Sequence, residues 1–88
     1  MTMEEIRYDN EAYKVVLVIA QRGYSEGQFH ELRKAFAERS VITFIASREK
    51  TQATGDKGEA ILPNMQIGEI ELYDYDAVLF VGGAGASM

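Results

Sequence analysis

The chain has 88 residues, a formal net charge of −5 at pH 7, 47% apolar residues and 26% charged ones. That is the composition of one small globular domain, too acidic to offer the cationic surface that nucleic acid needs and with nothing to draw it to anionic lipid. With no cysteine and a single histidine, disulfides, zinc–thiolate sites, multi-histidine metal sites and a thiol nucleophile are excluded from anything these residues do alone, and no cofactor is expected.

Residues 1–13, "MTMEEIRYDNEAY", mix charge with isolated Ile6, Tyr8 and Tyr13, show no clear period and lack a signal-peptide core. They are expected to form an N-terminal extension, loosely ordered or docked on a partner. Lys14 to Ala20, "KVVLVIA", is a continuous β-branched run, which suits a strand covered on both faces. Its apolar part is far too short to span a bilayer, so a soluble cytoplasmic protein is expected.

A turn is expected at "QRGY", followed by a helix. Ser25 with Gln28 fits a capping box. Phe29, Leu32 and Phe36 recur at helical spacing, and Glu31, Arg33, Lys34 and Glu38 fall on the other face. The helix should stop near Arg39. Val41 to Ala46 reads as a second buried strand. "ATGDKGEAILP" reads as a hairpin turning at Gly55 to Gly58 and returning through Glu59 to Leu62. Ile67 to Leu72 is compatible with one or two helical turns. Tyr73 to Asp76 reads as a loop with its acidic residues in solvent. Ala77 to Val81 is the last strand, and Gly82 to Ser87 the loop after it.

Strand, helix, strand, hairpin, strand is the start of an open α/β sheet. In a doubly wound sheet ordered 2-1-3-4-5, "AVLFV" lies beside "KVVLVIA" with its other edge bare, an arrangement that natural proteins avoid. Further strands are therefore expected next to Ala77 to Val81, from a C-terminal half of the fold or from another chain.

The order of motifs, an apolar strand into "AQRGYSEGQF", then "VITFIAS", "TGDKGEAILPN" and "YDYDAVLFVGGAGAS", resembles the N-terminal half of the ThiJ/PfpI superfamily. That group is related to class I glutamine amidotransferases. The resemblance covers roughly Lys14 to Ser87, and assigns 14–88 to the N-terminal half of such a domain. It implies a three-layer, flavodoxin-like (Rossmann-like) α/β fold with a mostly parallel sheet and a β-hairpin, stopping before the nucleophile elbow. The implied chemistry uses a cysteine from that elbow, beyond these residues, on a small carbonyl or peptide substrate, as in glyoxalases, deglycases and intracellular proteases.

Carried over by the resemblance, Ser25 stands at the position where a carboxylate near the cysteine is usual. Glu26, one place later, becomes the candidate catalytic acid. Gly82 and Gly83 carry over as the glycine pair whose backbone N–H helps form an oxyanion hole, with Val81 in place of the usual preceding proline.

Each candidate also has a plain structural reading. Ser25 is a common helix N-cap, and Glu26 in the first turn offsets the helix dipole. Gly82, Gly83 and Gly85 make an ordinary turn as readily as a ligand loop. A dinucleotide G-x-G-x-x-G starting at Gly83 would need glycine where Met88 stands. His30 and Lys57 are expected to be surface residues, and no acidic cluster follows the first strand as a phospho-receiver would require. Two functions from different classes follow. One is the catalytically incomplete N-terminal part of a cysteine-dependent enzyme, completed by a C-terminal half. The other is a non-catalytic binding or assembly module completed by strand pairing with another chain, a homo-oligomer being expected, with neither nucleic acid nor membrane as partner.

Overall fold

A computed structural model describes residues 12–83. Most of the expected extension, residues 1–11, and the loop from residue 84 onward, including Gly85, lie outside the described residues.

The central strand is β1 (Lys14–Val18), and Val15 to Ile19 are all buried. It is flanked on one side by β3 (Ile42–Ser47) and on the other by β7 (Ala77–Phe80), both parallel to it. A two-residue strand, β6 (Met65–Gln66), extends the sheet beyond β3, giving the order β6-β3-β1-β7. With β1 between the strands that follow it, this is the start of a flavodoxin-like sheet. Val16 pairs with Phe44 and with Val78 in register. The ladder continues past the strand ends through Ile19 N–H to the Ala46 carbonyl and Val81 N–H to the Val18 carbonyl, each at 2.9 Å.

Alternation along the strands splits the apolar residues into two layers. Leu17, Ile19 and Val81 pack with Tyr24, Phe29 and Ala53 beneath α1 (Glu26–Glu38). Val16, Val18 and Ala46 face the other way, toward Phe44, Met65, Ile70 and Tyr75. The second layer is thinner at the strand tips, where Phe80 is 74% exposed.

Ser25 caps α1, its Oγ accepting the Gln28 N–H at 3.2 Å. At the other end Val41 N–H reaches the Phe36 carbonyl at 2.9 Å and Ser40 N–H the Ala37 carbonyl at 3.1 Å. This is a Schellman termination with a serine at φ 59° in the left-handed position.

"QRGY" is more than a turn: Arg22–Tyr24 is a short strand, β2, parallel to β4 (Ala53–Gly55). β4 turns back into β5 (Ala60–Ile61) as the expected hairpin, so a second sheet, β2-β4-β5, stands beside the first. Between β6 and β7, Ile67–Glu69 is a 3-10 turn within the expected helical stretch, and Leu72–Asp74 is a second one that runs into residues expected to be loop. Asp76 is not simply turned to solvent, because its Oδ2 accepts the Lys14 N–H at 2.8 Å and ties the starts of β1 and β7 together.

Candidate functional site

In an open α/β sheet, ligands bind beyond the carboxyl ends of the strands where the strand order reverses. Here that place is the gap above β1 and β7, and three segments meet beside it: 21–25, the first turn of α1, and Gly82–Gly83.

Gly82 leaves β7 and is held by α1 at both backbone groups. Its carbonyl accepts the Ser25 N–H at 2.8 Å, and its N–H donates to Gln28 Oε1. Gly83 forms an antiparallel bridge with Tyr24. At φ 138°, Gly83 occupies backbone space that side chains rarely enter, and a Cβ there would strike the Gly23 carbonyl and the Ser25 N–H. The two glycines are thus held in an ordered loop against the first turn of α1.

The expected capping box forms only in part. Ser25 takes the Gln28 N–H, but Gln28 does not return its side chain to Ser25; Gly82 satisfies both the Ser25 N–H and the Gln28 side chain. The sequence pattern flagged Gln28 as a cap residue only, and a serine followed by glutamine carries no mark of a third partner 54 positions away.

Glu26 lies in the same turn but reaches sideways. Its Oε2 accepts the N–H groups of Lys57 and Glu59, each at 2.8 Å, while its own N–H donates to Asp56 Oδ1 at 3.2 Å. The carboxylate lies against Gly55, where any Cβ would collide with it. The arrangement joins the start of α1 to the β4–β5 hairpin, and Gln28 is the side chain that meets Gly82. Lys57 acts here through its backbone.

Behind Glu26, the Tyr24 hydroxyl donates to Glu59 Oε1 at 2.7 Å, and His30 Nε2 lies 2.6 Å from Glu59 Oε2. Burial, and then the bond to a carboxylate, raise the Tyr24 phenol well above its ordinary range. The Tyr24 bond, helped by His30 and Arg33, outweighs desolvation and lowers Glu59. His30 is half exposed, as expected, yet paired. Glu59 was legible only as the first residue of a returning strand.

A cleft of about 410 Å³ opens at the same end of the sheet, bordered by Val18, Gln21, Arg22, Arg48, Phe80 and Val81 among others. Gln21 braces its rim, its amide donating to the Thr51 carbonyl at 2.8 Å and its Oε1 accepting the Glu49 N–H at 3.0 Å. Among the described residues, no group of three or more His, Cys, Asp or Glu side chains is placed to share a metal ion. No helix among them is long and apolar enough to cross a membrane.

Known proteins share this fold. The backbone is similar to a ThiJ/PfpI domain protein from Brachyspira murdochii, with a TM-score of 0.81 at 23% identity over 89% of this chain and 45% of that one. A DJ-1 superfamily protein from Agrobacterium tumefaciens gives a TM-score of 0.75 at 18% identity, covering 81% of this chain and 38% of the other. Oxidized DJ-1 from Toxoplasma gondii gives 0.71 at 22% identity, over 83% and 40%. These likenesses establish the fold, and the chain spans less than half the length of each of these structures. No curated protein matches. The family model described as the DJ-1/PfpI family matches residues 13–88, and the chain belongs to that family.

Proposed function

We propose that this chain forms the N-terminal wall of the active-site crevice in a cysteine-dependent enzyme of the DJ-1/PfpI family. The observation that carries the reading is the Gly82–Gly83 loop, ordered against the first turn of α1 at the tips of β1 and β7. In this reading a cysteine thiolate from the remainder of the fold attacks a carbonyl, thioester or amide carbon. The oxygen of that carbon gains negative charge, and backbone N–H groups of the glycine loop stabilise it. Glu26 acts by fixing the hairpin beside the crevice, its Oε2 already accepting two hairpin N–H groups, while Ser25 fixes Gly82. In this reading the 88 residues alone are inactive, since they hold no cysteine.

The test is iodoacetamide labelling of the chain when joined to, or mixed with, the segment that completes the fold. One rapidly labelled thiol is expected, together with turnover of a small 2-oxoaldehyde or a peptide that the 88-residue chain does not process. A completed protein without a reactive thiol would sink the reading.

A second reading, a non-catalytic assembly module, draws on β7. Among the described residues β7 has a neighbour on one side only, and its Phe80 is 74% exposed. Unpaired edges and exposed aromatics are places where a second chain adds on. In that case sedimentation of the 88-residue chain shows a defined homo-oligomer, which Phe80→Lys disperses. A well-behaved monomer rules it out.

A further inference from the structure

Both backbone groups of Gly82 are occupied, its carbonyl by Ser25 and its N–H by Gln28 Oε1. A Cβ at Gly82 would lie 3.1 Å from the same Oε1, so the Gln28 amide sits directly over the residue. An oxyanion needs donors aimed at the space where charge develops. The Gly82 N–H does not meet that need while Gln28 holds it.

We propose that Gln28 is a positioning residue that gates the crevice. Its amide keeps the Gly82 N–H closed in the resting protein and releases it as an anion donor by swinging out. The inference rests on the reading of the glycine loop as an oxyanion wall. Gln28 is exposed, so a displaced amide recovers its hydrogen bonds from water, and exposed rotamers exchange within nanoseconds. The loop keeps its shape when the gate opens, because Ser25 still holds the Gly82 carbonyl and Tyr24 still bridges Gly83. An amide does not titrate, so the gate is set by competition rather than by pH. The ligand that wins is a stronger acceptor than an amide carbonyl, such as a carboxylate or a tetrahedral oxyanion.

The experiment is NMR on the isotope-labelled 88-residue chain, with acetate as the anion probe. In the unaltered protein a scalar coupling across the hydrogen bond is expected between the Gly82 nitrogen and the Gln28 side-chain carbonyl carbon. Its absence overturns the gate without any variant having to fold. Gln28→Ala is expected to speed hydrogen exchange at Gly82 about tenfold while leaving Ser25 unchanged. Gln28→Glu, which keeps an acceptor, restores protection. Acetate should shift the Gly82 amide at lower concentration in Gln28→Ala than in the unaltered chain. Equal responses to acetate overturn the gate and leave the oxyanion reading standing. Faster exchange with no acetate response in any variant removes the oxyanion reading, and the gate with it.

Discussion

The Tyr24 hydroxyl donates to Glu59 Oε1 at 2.7 Å, tying a ring with no solvent exposure to a carboxylate that is 31% exposed. This bond is the largest cause that holds the Glu59 carboxyl below its ordinary pKa. A carboxylate lowered in the folded state stabilises the protein above its ordinary range, near 4.5, and loses that contribution as pH falls through the depressed value. Tyr24→Phe keeps the ring and removes the donor. It is expected to cost about 1 kcal/mol at pH 7, with a smaller cost at pH 3. Urea melts at both values check this; a cost that does not shrink in acid would show that Glu59 is not the partner that matters.

Glu26→Ala removes the acceptor for Lys57 and Glu59 and leaves both N–H groups to water. Charge-assisted bonds of this kind are worth about 1.5 to 3 kcal/mol each before solvent exposure reduces them, so a total loss of about 2 kcal/mol is expected. Amide exchange should rise at Lys57 and Glu59, with helix content by circular dichroism unchanged. If the two amides stay protected, the hairpin is held by something other than Glu26.

Gly83→Ala forces a Cβ against the Gly23 carbonyl at a φ that alanine seldom adopts. The loop must shift, at a cost of about 1 to 3 kcal/mol. The Tyr24–Gly83 bridge is expected to open, visible as lost cross-strand contacts in NMR spectra while β1 and β3 remain paired.

Ser40 ends α1 in the left-handed conformation that glycine adopts freely. Ser40→Gly relieves this, and the greater freedom of glycine in the unfolded chain offsets part of the gain. A net increase of about 0.5 kcal/mol in denaturant unfolding is expected, with both Schellman bonds retained.

Local features were legible in the sequence where short-range physics decides them. The Ser25 cap, the helical spacing of Phe29, Leu32 and Phe36, the β-branched run of β1 and the glycine-bounded hairpin all follow from side chains within a few positions of one another. β2 and β6 were missed because strands of three and two residues exist only through partners elsewhere in the chain. The same holds in the crevice. Gly82 and Gly83 stand out as glycines after a strand, whereas the bonds from Gln28 to Gly82 and from Tyr24 to Glu59 join residues 54 and 35 positions apart. Glu26 stood out through the family resemblance, one place after Ser25, and nothing nearby announced that its carboxylate faces the hairpin.

The position of β1 between β3 and β7 also bears on how the chain becomes ordered. Val15 pairs with Thr43 on one side and Ala77 on the other, and Asp76 reaches Lys14 across 62 positions. Closing the shorter loop first is entropically easier, so β1, α1 and β3 make the early unit. Until β7 arrives, β1 offers one unpaired edge and the first turn of α1 lacks its bonds to Gly82. Synthesis from the N-terminus makes that interval unavoidable. The Gly82–Gly83 loop is then the last part of the described chain to dock, and it docks onto a helix end that is already in place.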